Sequence, residues 1–158
     1  MIPLTAAVAV KEETNPWISA LYAGVFTAVA AAITVFAFVQ TQNWIVGVLV
    51  HLLTGAAAVL GYQMARGRMG SSWSAVLGGL IGGIPIIFFL LWPILVGALD
   101  KSQSIGRLLL GSILGAIIGV AVFLLLGSFM GQNPAWVGTG FTFLMAFWAG
   151  TVGAFAAS

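Results

Sequence analysis

Five long apolar runs, none with a charged residue in its interior, constrain this chain more than any other feature. Each is about 20 residues long, the length a helix needs to cross a hydrocarbon core about 30 Å thick at about 1.5 Å per residue. A backbone group left unpaired in lipid costs several kcal/mol, so such runs must be helices or strands of a closed barrel. Barrel strands alternate apolar and polar residues. These runs do not, and helices follow. With 61% hydrophobic and 5% charged residues, little is left for a water-soluble part. The sequence therefore predicts an all-α, polytopic integral membrane bundle of about five transmembrane helices in one domain over 1–158.

The predicted spans are about 17–39, 44–64, 74–99, 107–129 and 135–157. Asn15 and Pro16 precede the first, a capping residue and a residue suited to a first helical turn. Asn43 precedes the second in the same way, and the short break before it demands an antiparallel pair. Trp17, Trp44, Trp73 and Trp136 stand at span starts, where an interfacial aromatic belt is expected. The third span is predicted to kink at Pro85, because proline removes a backbone donor and clashes with the preceding turn. A full break at Gly82-Gly83-Ile84-Pro85 would instead make that run re-entrant and leave four spans. The first ten residues hold no basic side chain, so no cleaved leader is expected, and the last span reaches the end of the sequence.

Five spans place Lys11, Arg66 and Arg68 on one side and Lys101 and Arg107 on the other. Three against two favours the N-terminus inside and the C-terminus outside. Asp100, Glu12 and Glu13 fall at span ends, where solvated carboxylates are expected.

Among the 21 glycines, Gly78/Gly82, Gly79/Gly83 and Gly111/Gly115/Gly119 recur every four residues. That spacing makes flat helix faces on which another backbone can approach closely. The third and fourth spans are expected to pack there, on each other or on a helix of another subunit. Leu77–Ile84 also resembles Leu110–Ile117, which in a five-span chain would be an inverted repeat like those of transporters.

The single histidine, His51, lies inside the second span, with Gly47 and Gly55 four residues to either side on the same face. Three uses fit an intramembrane imidazole: a hydrogen bond between helices, a proton relay, or axial ligation of a tetrapyrrole (haem or chlorophyll type) lying on the glycine strip. With no second histidine, a bis-imidazole haem cannot be held by this chain alone. Phe88, Phe89, Trp92, Phe143, Phe147 and Trp148 either face lipid or line a lipid, quinone or pigment site.

Several functions are excluded. One histidine, no cysteine and no carboxylate inside a span allow neither a Ser-His-Asp set nor a metal cluster. No basic stretch is long enough to follow a phosphate backbone, so nucleic acid is not an expected partner. Ion-coupled pumps place an ionisable group near the midplane, and no Asp, Glu, Lys or Arg stands there. The expected function is non-enzymatic: an accessory subunit of a larger membrane complex, respiratory or photosynthetic, in a plasma or energy-transducing membrane. Its partners would be lipids and other membrane subunits. The alternative is a small, oligomeric transporter or channel.

Overall fold

A computed structural model describes residues 14–85, 87–131, 133 and 135–158. Lys11, Glu12 and Glu13 lie outside the described residues. Six helices follow one another: α1 (Pro16–Thr41), α2 (Trp44–Ala65), α3 (Trp73–Gly82), α4 (Phe88–Leu99), α5 (Ile105–Met130) and α6 (Trp136–Ala157). Four of them, α1, α2, α5 and α6, are long and apolar enough to cross a membrane. The helical membrane bundle read from the sequence is the fold observed.

Local chemistry sets the first boundaries. The Asn15 side chain accepts from the Trp17 amide at 2.9 Å, with Pro16 in the first turn. Gln42 ends α1 in the left-handed region (φ 49°), its amide donating to Phe38 O at 2.8 Å. Asn43 then caps α2 by accepting from the Ile45 amide at 2.9 Å. Two residues thus reverse the chain, and α2 runs back along α1. Glycine lets them touch, since a Cβ on Gly61 would sit 2.5 Å from Ala23 Cα.

The third apolar run is not one kinked span. It is a hairpin of two short helices. α3 has 10 residues and rises about 15 Å, half the hydrocarbon thickness. The chain turns after Gly83, and α4 returns to the end from which α3 began. Two contacts fix this geometry. The Ser74 hydroxyl donates to Leu99 O at 3.3 Å, joining the start of α3 to the end of α4. Near the middle, a Cβ on Gly78 would meet Leu95 O at 3.3 Å. Proline cannot donate, and Gly83 ends α3 before Pro85; the break has the composition of a turn rather than of a bent helix.

This hairpin changes the parity of everything after it. The starts of α1, α3 and α5 and the ends of α2, α4 and α6 gather at one end of the bundle. Arg66, Arg68, Lys101 and Arg107 all stand there, with Thr14 and Ser158. The four described basic residues are not divided between two sides, and the described ends, Thr14 and Ser158, lie on the same side. α3 and α5 run in the same direction, so their sequence likeness is not an inverted repeat. The loops at the other end, 42–43 and 131–135, carry no charged residue.

Around the bundle, α1 packs on α2 and α6, α6 on α5, and the hairpin bridges α2 to α5. The glycine faces lie within these contacts. A Cβ would stand 2.6 Å from Gly55 O at Gly79, 2.9 Å from Leu52 Cα at Gly83 and 2.7 Å from Trp92 Cα at Gly82. Gly111, Gly115 and Gly119 face α6 instead, with Gly115 and Gly119 each leaving 2.7 Å to a backbone oxygen, of Trp148 and Leu144 respectively. The two glycine sets meet different partners rather than each other.

Candidate functional site

Two polar features stand apart from the apolar bulk, one deep in the membrane and one at the basic end.

The deep feature centres on His51. Its ring lies between Phe88, the first residue of α4, and Phe141 of α6, with centroids 5.6 and 5.5 Å away. The imidazole is buried, and its Nδ1 has no hydrogen-bond partner among the described residues. The Gly47/His51/Gly55 strip offers no bed for a macrocycle. Gly47 faces the Phe38 ring, with 3.3 Å left for a Cβ, and Gly55 lies directly against the Gly79 carbonyl. Trp92 covers the same spot, donating through Nε1 to Gly55 O at 2.8 Å. Protein from α1, α3, α4 and α6 fills the strip, so these residues do not fit a tetrapyrrole ligated by His51.

Beside His51 lies an aromatic cluster whose members the sequence could not separate. Phe88, Trp92 and Trp148 are fully buried, whereas Phe143 and Phe147 are exposed along α6. Trp148 packs on Phe88 at a tilt, with centroids 4.3 Å apart, and meets Trp92 edge-on at 5.2 Å. A short relay ties the cluster together: Trp148 Nε1 donates to Ser112 Oγ (2.9 Å), which donates to Phe89 O (2.6 Å). Pro93 explains why that carbonyl is open. It is four residues beyond Phe89 and has no N–H to give it. The proline was a signal for this site, and the serine across from it was not legible without the fold.

At the basic end, Asp100 is buried rather than solvated. The Tyr62 hydroxyl donates to its Oδ2 at 2.8 Å, and the Ser102 amide and hydroxyl donate to its Oδ1 at 3.0 and 2.6 Å. Three donors compensate the carboxylate for lost water. Arg66 lies over the Tyr62 ring, 5.9 Å from its centroid, and donates to the Ala156 carbonyl at the end of α6. Burial lowers its pKa from the ordinary arginine value, while Tyr62 and Asp100 act in the opposite direction. Gln63 folds the α2–α3 loop back on itself, accepting from the Gly70 amide (3.0 Å) and donating to Ser72 O (3.3 Å). These contacts fasten the open end of the hairpin to α2 and α6.

The fold and its membrane-embedded core define an all-helical integral membrane protein. No protein-family model matches the chain, and no solved structure matches it. A cytochrome b of Paraspadella gotoi is 47% identical to it over 51 residues, which are 32% of this chain and 13% of that protein. The likeness is local. It spans about an eighth of the cytochrome's length.

Proposed function

We propose that this chain is an accessory, non-catalytic subunit of a larger membrane complex. The observation that carries this reading is the filled bundle axis, where Phe88, Trp92 and Trp148 meet with almost no exposed surface. A single copy so filled offers helix faces to neighbours rather than a route across the membrane. The lack of any Asp, Glu, Lys or Arg in a span interior supports the same reading. The local likeness to a cytochrome b favours a respiratory host over a photosynthetic one. In this reading the basic end faces inside, because the four described basic residues lie there and none lies at the other end. Both described ends of the chain are then inside.

The test is the composition of the native particle. Extraction in a mild detergent should recover this chain with larger membrane proteins at fixed stoichiometry. Recovery as a lone chain or homo-oligomer would refute the proposal. One observation favours a second reading, a small oligomeric transporter or channel. It is the half-depth hairpin, since interrupted helices inside a membrane are tolerated where protein or a cavity covers them. Solute flux into liposomes carrying the purified chain alone would favour that reading.

A further inference from the structure

At the basic end the chain forms an open cavity of about 990 Å3. Its walls come from four places: the first turn of α1 (Asn15, Ile18), the α2–α3 loop (Arg66, Arg68), the start of α5 (Ser104, Arg107) and the end of α6. We propose that this cavity binds a phosphate group, met in the membrane as the headgroup of an anionic phospholipid.

The charge is one-sided. Three arginines line the cavity, and among the described residues no aspartate or glutamate does. Among the described side chains, the nearby carboxylate is that of Asp100, which is turned away into its bonds with Tyr62 and Ser102. The arginines divide by role. Arg66 is committed to the Ala156 carbonyl and the Tyr62 ring, so it is a fixed wall charge. Arg68 and Arg107 are exposed and make no hydrogen bond through their side chains among the described residues. They approach from different segments, as two forks that can hold one phosphate from two directions.

The start of α5 adds a second, independent attraction. Ser104 precedes it without a side-chain capping bond, leaving first-turn amides free at the positive end of a 26-residue helix. Gly106 leaves this turn open, since a Cβ there would find only Ser104 Oγ, 3.8 Å away. Phosphate oxygens suit such an end. The level in the membrane points to a headgroup. Trp17, 82% exposed, marks the interface beside the cavity, and the half-exposed Ile18 connects its wall to the lipid-facing side of α1.

The site does not depend on the accessory-subunit reading. Its test uses the purified full chain in nanodiscs of phosphatidylcholine with a minor fraction of phosphatidylglycerol. Native mass spectrometry then counts the retained lipid. Wild type should retain phosphatidylglycerol over phosphatidylcholine. Arg68→Gln and Arg107→Gln should each weaken retention about fivefold, and the pair roughly 25-fold. Lys101→Gln removes a charge from the same end but outside the cavity, and should change nothing. Melting in pure phosphatidylcholine discs should be the same for all variants; if the double variant does not fold, the two single variants carry the test. A second arm titrates inorganic phosphate into pure phosphatidylcholine discs. Saturable stabilisation that the double variant loses would support the phosphate site and assign it a soluble source. Equal retention by wild type and the Arg68 and Arg107 variants, with no such stabilisation, would overturn the proposal. So would an effect of Lys101→Gln as large as theirs, which would reduce the site to diffuse surface charge.

Discussion

The hairpin can be tested by where single cysteines meet water. The chain has no cysteine, so each introduced thiol is the only one to react. We would place them one at a time at Ser71, Lys101 and Ser158 at the basic end, at Thr41 and Ala135 at the other, and at Ile84 in the turn. A ten-residue α3 rises about 15 Å, so Ile84 should lie near the middle of a core about 30 Å thick. A continuous third span would instead carry Lys101 about 40 Å from Trp73, across the bilayer, since 28 residues separate them at about 1.5 Å each. Labelling with a charged, impermeant maleimide in vesicles of both orientations distinguishes the two arrangements. S71C, K101C and S158C should react from one side, and T41C and A135C from the other. I84C should react with neither until detergent is added. Reaction of K101C from the side of T41C would refute the re-entrant fold and everything built on the basic end.

The remaining predictions concern stability, read as thermal or denaturant unfolding in detergent. Tyr62→Phe leaves the buried Asp100 carboxylate short of one donor and should cost about 1.5–3 kcal/mol, with much of that loss absent when Asp100→Asn is already present. Ser112→Ala strands both the Trp148 indole N–H and Phe89 O and should cost about 1–3 kcal/mol, whereas no loss would mean the relay is not formed. Gly115→Val forces a side chain into the 2.7 Å left before the Trp148 carbonyl, so α5 and α6 must separate, at a cost of about 1–3 kcal/mol. His51→Leu removes a buried nitrogen without a partner, and should leave the melting temperature unchanged or raise it. Loss of a visible absorption band in that variant would restore the tetrapyrrole reading rejected on geometry.

What could be read in advance was whatever depends on near neighbours in sequence. Asn15 and Asn43 announced their helices because a cap bonds two residues onward. The apolar runs gave the solvent. The third run was ambiguous because hydropathy counts residues and not direction, so a kinked span and a hairpin of equal length look alike. What separates them, Ser74 on Leu99 and Tyr62 on Asp100, joins residues 25 and 38 positions apart. One misjudged crossing then inverted the side assigned to Lys101 and Arg107. The same limit hid the aromatic core, since Trp148 and Phe147 are adjacent in sequence yet face opposite environments. It also made Asp100 look like a loop charge. The His51 strip was legible as a flat face, but not as one already covered by α3 and Phe38.

The half-depth hairpin also gives the molecule an unequal cross-section. Among the described residues, six helices stand in the half of the membrane at the basic end, and four in the other. A helix about 10 Å across covers roughly 80 Å2 of membrane plane, so α3 and α4 add roughly 160 Å2 to one leaflet alone. The protein is therefore a wedge. Its energy depends on how lateral pressure is shared between the two leaflets, and a membrane bent to relieve that mismatch would hold it more favourably than a flat one.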